Sequence, residues 1–155
     1  MSYEISIRRA HIADVPGICD LVNDYAERGL MLHRSHESIY DALREFQVAV
    51  NEESVIVGCV AVDVFWSDLA EVKSLAVSPQ IRRRGLGRKL VAAAVADARS
   101  LGVRKLFALT YEREFFQRMG FDLIDRESLP EKVWRECIAC PKVDACDETA
   151  MMLRI

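Results

Sequence analysis

Residues 76–95, AVSPQIRRRGLGRKLVAAAV, place a strand-like apolar end, a proline, four arginines, two glycines and an alanine-rich run within twenty residues. The whole chain of 155 residues has a formal net charge of -3, so this positive charge is local. A helix leaves the N–H groups of its first turn without intrahelical partners, and its aligned peptide dipoles make that end partly positive. A strand ending in Val77 and a helix opening near Gly85 therefore enclose a ready anion site.

Outward from this turn the pattern alternates between strand and helix. The segment AEVKSLAVS leads in as a strand; after Gly85, Leu86, Leu90, Val91, Ala94, Ala98 and Leu101 recur every three or four residues until Gly102 ends the helix. Upstream, EISIRRA alternates Ile5 and Ile7 with polar neighbours and predicts a strand. A helix follows with Asp14 as N-cap and Pro16 in its first turn, carrying Ile18, Leu21, Val22 and Tyr25 until Gly29. After the loop GLMLHR, Ser35 caps a second helix in which Ile39, Ala42, Leu43 and Phe46 share a face. FQVAVNEESVIVGCVAVDVFW reads as a hairpin turning at Asn51 to Ser54. Downstream come the strand RKLFALT, a short helix EFFQRM closing on Gly120, the strand FDLI, a helical turn from Ser128 and Pro130 through Trp134, and a last strand TAMMLRI. Helices and strands mixed in this order predict one α/β domain over residues 1–155, with a cysteine-containing loop at 137–147 inside it.

Composition narrows the function. With 51% hydrophobic and 29% charged residues the chain is ordinary globular material, long enough for a continuous core. The net negative charge argues against a general nucleic-acid partner, which needs a broad basic face. No apolar run approaches the ~20 residues of a membrane span, and the start MSYEISIRRAHIADV does not resemble a signal peptide, so the protein is expected to be cytoplasmic and away from membranes. Five cysteines in such a chain fit free thiols or a metal better than a disulfide framework.

Three anion-loop patterns compete at the turn. A P-loop needs G-x-x-x-x-G-K-[ST], and a dinucleotide fingerprint needs G-x-G-x-x-G in the first strand-to-helix turn; neither is present. What remains is Arg82-x-x-Gly85-x-Gly87 directly after a strand. This segment resembles the acetyl-CoA signature of the Gcn5-related N-acetyltransferases (GNAT), Gln/Arg-x-x-Gly-x-Gly/Ala, and FFQRMGF resembles that family's segment ending in Gly-Phe. The resemblance implies the GNAT fold: a central, mostly antiparallel sheet flanked by helices, with the fourth and fifth strands splayed apart.

The chemistry of the residues agrees with that resemblance. Glycines at 85 and 87 leave room for a pyrophosphate to approach the main-chain donors around Leu86, and Arg82, Arg83, Arg84 and Arg88 can add charge-assisted bonds. By resemblance, the main chain of Leu75, Ala76 and Val77 receives the pantetheine arm, and Phe116 sits beside it. Acetyl transfer from a thioester also needs a deprotonated amine. Glu71 matches a position where some members carry a proposed base, and strand alternation predicts that it shares a face with Leu75. A main-chain N–H near Val77 is the expected oxyanion donor. The family tyrosine that protonates the leaving thiolate would fall at Phe116, which leaves Tyr111, solvent, or direct release of the thiolate.

Within the family the chain most resembles the short bacterial N-acetylglutamate synthases, on ERGLMLHRSHESI, AEVKSLAVSPQIRRRGLG, LTYEREFFQRMGF and LPEKVWRECIACPKVDACDETAM. That implies acetyl-CoA as cosubstrate and L-glutamate as acceptor, by direct attack in a ternary complex at the first step of arginine biosynthesis. Two carboxylates call for forked cations. Arg34 matches a substrate-contacting arginine, with Lys73 and Arg113 as further candidates. A different amine, or a non-catalytic acyl-CoA-binding regulator, are the alternatives. Cys137, Cys140 and Cys146 are expected to be free thiols rather than a zinc site, so no metal is assigned, and Cys19 and Cys59 read as core. A homodimer is left open.

Overall fold

The computed structural model describes residues 4–81, 85–130, 133 and 148–155. Their strands are β1 (Ser6–Arg9), β2 (Phe46–Val50), β3 (Ile56–Trp66), β4 (Leu69–Val77), β5 (Lys105–Thr110), β6 (Asp122–Leu123) and β7 (Thr149–Arg154). The helices are α1 (Val15–Glu27), α2 (His36–Asp41), α3 (Leu86–Ser100) and α4 (Arg113–Arg118). The strands form one sheet in the order β1-β2-β3-β4-β5-β7-β6. Every neighbouring pair is antiparallel except β4 and β5, whose parallel pairing requires the crossover that α3 provides. The mostly antiparallel sheet with flanking helices expected from the sequence is therefore present.

Period-two alternation divides the core into layers. On one face α1 and α2 bury Ile18, Val22 and Ile39 against Phe46, Val48, Cys59 and Ala61. On the other, Leu86, Leu90, Val91 and Ala94 of α3 cover Ala49, Val60, Val62 and Val72. The expected hairpin turns where Asn51 accepts main-chain bonds from Glu53 and Val55. Ser35 caps α2 by accepting from the Ser38 N–H at 3.0 Å. Phe46 corrects the sequence reading: α2 ends at Asp41 and Phe46 opens β2, fully buried beneath the helices, because the apolar run it begins pairs with β3. After β6 the chain makes a 3-10 turn at Arg126–Ser128; in the helical turn expected from Ser128 through Trp134 the Val133 N–H donates to the Pro130 carbonyl at 3.0 Å, and residues 131, 132 and 134 lie outside the described residues. No described helix is long and apolar enough to cross a membrane.

Two irregularities of β4 open the sheet at its centre. Its ladder with β5 contains only Leu69↔Lys105, Ala70↔Leu106 and Glu71↔Phe107. Beyond Glu71 the two strands part, β4 following β3 and β5 following β7, so the sheet opens into a wedge. Within the wedge β4 bulges: Cys59 faces Ala76 and Ala61 faces Lys73, so Val60 of β3 opposes both Ser74 and Leu75 of β4. Ser74 sits in the bulge with φ +54°, a left-handed conformation unusual for a non-glycine residue. The extra residue inverts the alternation. Ala70 and Val72 face α3, and so do Leu75 and Val77, whereas Ala76 packs under α1 and α2. Glu71 and Lys73 therefore point to the α1 side, opposite Leu75, and the expectation that Glu71 shares a face with Leu75 is overturned.

The start of α1 is held by charge. Arg8 donates to both oxygens of Asp14, at 2.7 and 3.1 Å, and the His11 N–H donates to the same carboxylate at 2.6 Å. Asp14 thus binds the preceding strand rather than capping α1 with its side chain, as the sequence suggested. The hydrogen bond from Arg8 is the main cause that holds the Asp14 carboxyl below its ordinary value. A group so depressed stabilises the fold at neutral pH and loses that contribution as pH falls through its folded-state value. Thermal unfolding followed across acidic pH should therefore show a shallower acid dependence for Asp14→Asn than for the parent, with a lower midpoint at neutral pH.

Candidate functional site

A cavity of about 810 Å³ occupies the wedge. Its walls come from the end of α1 and the following loop, from Glu71 to Leu75 of β4, from the end of β5, and from Phe115 and Phe116 of α4. It reaches both faces of the sheet because parted strands leave no ladder to close it. Glu71, Lys73, Leu75, Tyr111, Phe116 and Arg34, six of the residues singled out in the sequence, line this one space.

Glu71 is only 8% exposed, the last β4 residue paired to β5, and it meets Asp63 across β3. A buried carboxylate at the apex of an open wedge is placed to take a proton from a ligand in the cavity. Lys73 is also largely covered, and its ammonium lies 3.1 Å from Asp63, so its charge is shared with that carboxylate. Arg34 is held differently. Its guanidinium donates at 3.3 Å to the Ser74 hydroxyl and at 3.4 Å to the hydroxyl and carbonyl of Ser38, and lies 5.3 Å from the centre of the Phe46 ring. These partners are neutral and the bonds long, which suits a cation that exchanges them for a carboxylate ligand.

The other wall is aromatic. Phe116 is buried edge-on against Phe115 and Phe121, with ring centres 5.1 Å apart in both pairs. It has no proton to give, and Tyr111, half-buried where β5 ends, is a phenol on the same cavity. Tyr25 is a residue that the sequence reading placed only in a helix face. Its hydroxyl donates to the Val77 carbonyl at 2.9 Å and accepts from the Val77 N–H at 3.3 Å, so the expected oxyanion donor is engaged by this phenol. A signal existed: a tyrosine among helical core positions must place its hydroxyl on a polar partner.

The thiols around the cavity are poor nucleophiles. Cys59 is fully buried and donates to the Ser74 carbonyl at 3.3 Å, and burial pushes its thiol up to about 12. Burial also raises the Cys19 thiol. Both are core residues, as expected. Cys137, Cys140 and Cys146 lie outside the described residues, and among the described ones no three metal-capable side chains cluster.

At the anion turn, Arg82, Arg83 and Arg84 lie outside the described residues. Gly85 takes φ +75° at the head of α3, where a side chain would be strained. Leu86 and Ala76 bury their side chains and can offer only main chain to a ligand, while Arg88 is exposed on α3. The structure does not place Gly85, Leu86, Gly87, Arg88, Ala76 or Val77 on the cavity wall; they lie where β4 leads out of it towards α3. Arg113 is exposed at the start of α4 and is likewise absent from the lining.

Comparison with known proteins matches this arrangement. An uncharacterised N-acetyltransferase of Chlorobaculum tepidum is 42% identical over 146 residues, 94% of each chain. An amino-acid acetyltransferase of Mycobacterium tuberculosis is 38% identical over 132 residues, 84% of this chain and 75% of that one. The N-acetylglutamate synthase of Neisseria gonorrhoeae, solved with coenzyme A and N-acetyl-glutamate, superposes with a TM-score of 0.88 at 31% identity, over 99% of this chain and 36% of the larger protein. The profile of the Acetyltransferase (GNAT) family covers residues 16–121, from the first turn of α1 through the end of the aromatic wall. An opened sheet, a glycine-led helix and these relatives converge, and the chain belongs to the Acetyltransferase (GNAT) family, an N-acetyltransferase that uses acetyl-CoA.

Proposed function

We propose that this chain transfers the acetyl group of acetyl-CoA to the α-amine of L-glutamate, the reaction that opens arginine biosynthesis. The observation that carries this reading is the meeting of buried Glu71 and neutrally held Arg34 on one cavity at the Ser74 bulge. A carboxylate base and a forked cation are the two groups that an acidic amino acid requires, one for its ammonium and one for a carboxylate. The names and ligands of the relatives support the same acceptor.

The coenzyme supplies an activated thioester. Its fit rests on the wedge, on the β4 edge beyond Glu71 that no strand among the described residues covers, and on Gly85, whose position leaves open space where a side chain would stand. On this reading the amides at Gly85 to Gly87 hold the pyrophosphate, with Arg88 and the preceding arginines beside them, and the Leu75 main chain holds the pantetheine arm. Glu71 takes the proton from the α-ammonium, Arg34 grips a carboxylate, and Lys73, already paired with Asp63, is the further candidate cation on the same wall. Tyr111 is assigned the proton for the departing thiol, since Phe116 has none to give. Arg113 receives no role. Direct attack in a ternary complex is the route assigned, and neither Cys19 nor Cys59 lines the cavity.

A second reading has its own observation: Glu112 and Glu148 also line the cavity, and three carboxylates with Glu71 would suit a polyamine. Thiol release from acetyl-CoA, measured with L-glutamate, L-glutamine and spermidine, separates the two. Glutamate is expected to be the best substrate, and a response to spermidine alone would sink the glutamate assignment. Arg34→Ala should raise the KM for glutamate about 10- to 100-fold, the loss of one charge-assisted contact. Glu71→Gln should lower kcat by roughly 10²- to 10⁴-fold with coenzyme A binding retained in calorimetry. Gly87→Ala tests the anion turn separately. A Cβ there meets the Phe115 ring at 3.6 Å and Val77 Cγ2 at 3.9 Å, both ordinary contacts, so the thermal midpoint should hold while coenzyme A affinity falls at least about tenfold.

A further inference from the structure

We propose that Asn23 is a positioning residue for the acceptor: its side-chain amide sets the place of Arg34 and thereby the affinity for the substrate carboxylate. The inference deepens the glutamate reading above and rests on it. Arg34 lies in the irregular stretch between α1 and α2, where no strand or helix neighbour satisfies its main chain. Asn23, one turn before the end of α1, does so with both halves of one amide. Its Nδ2 donates to the Arg34 carbonyl at 2.8 Å, and its Oδ1 accepts from the Arg34 N–H at 2.8 Å. This matches the donor and acceptor of the amide to those of a single residue, as an adjacent strand would. The Cys19 thiol, itself 3.1 Å from Asn23 Nδ2, reaches the same carbonyl at 3.5 Å.

The contrast with the side chain decides the point. The two main-chain bonds are short and paired, whereas the three bonds of the guanidinium are 3.3 to 3.4 Å and end on hydroxyls and a carbonyl. The location of Arg34 is therefore determined at its backbone, and the guanidinium can trade its contacts for a ligand. Asn23 is not among the residues that line the cavity, so its influence on substrate passes through Arg34.

The test is a double-mutant cycle on the full chain, with KM for L-glutamate, KM for acetyl-CoA and kcat measured for Asn23→Ala, Arg34→Ala and the pair. Asn23→Ala should raise the KM for glutamate about tenfold and leave the KM for acetyl-CoA unchanged. In the Arg34→Ala background the same substitution should add nothing, because its route to the substrate is gone. Asn23→Asp keeps the acceptor for the Arg34 N–H but sets a carboxylate oxygen against the Arg34 carbonyl in place of the donor. It should raise the KM for glutamate at least as much as Asn23→Ala, again without effect in the Arg34→Ala background, and it carries the same cycle if the alanine variant does not fold. Additive losses in the pair, or an unchanged KM in Asn23→Ala where Arg34→Ala raises it, overturn the role of Asn23 alone. No change in Arg34→Ala overturns both this role and the glutamate assignment.

Discussion

The parting of β4 from β5 after three residue pairs is the constraint on which the rest of this structure depends. A parallel pair carried to its full length would close the sheet and satisfy its main chain internally. Here each strand leaves with a different partner, and the gap becomes the cavity. The bulge at Ser74 then turns what would be a one-faced strand into a two-faced one. Glu71 and Lys73 before it look towards α1 and α2, while Leu75 and Val77 look towards α3. In the proposed reaction base and coenzyme would thus approach one another from opposite faces of the sheet through the same opening.

The wedge also separates two kinds of recognition. In the proposed function the donors beyond its outer end are main-chain amides at a helix head, which would read only the charge and shape of an anion. At its inner end the groups are side chains: Glu71 buried at the apex, Lys73 tied to Asp63, and Arg34 resting on hydroxyls. On that reading acceptor choice belongs to the loop between α1 and α2 together with the inward residues of β4. Tyr25 joins the two ends, since its hydroxyl holds the Val77 main chain from the helix that also carries Asn23.

Most of this was visible in the sequence for identifiable reasons. Alternating Ile5 and Ile7, the three-to-four spacing from Leu86 to Ala98, and glycines at 29, 102 and 120 mark local conformations that depend on near neighbours, and each of those glycines adopts positive φ. Gly85 at the head of α3 was legible because the strand end, the glycine and the helical run stand in consecutive residues. Phe46 was misplaced because one apolar residue at a helix-to-strand junction fits both periods, and only pairing with Ala61 decides between them. Tyr25 and Asn23 were missed for a related reason. Both sit at ordinary helical positions, and their partners lie 52 and 11 residues away.

The sequence by itself therefore determined the kind of fold, the glycine at the head of α3, and the identity of the charged residues available for chemistry, since these depend on local periodicity and on short runs of residues. Tertiary structure alone decided which face each residue serves. A single extra residue in β4 reverses every side chain beyond it, and nothing local announces that Ser74 will take a left-handed conformation. Register is a property of two strands together, and so it was the pairing with β3 that set Glu71 opposite Leu75 rather than beside it.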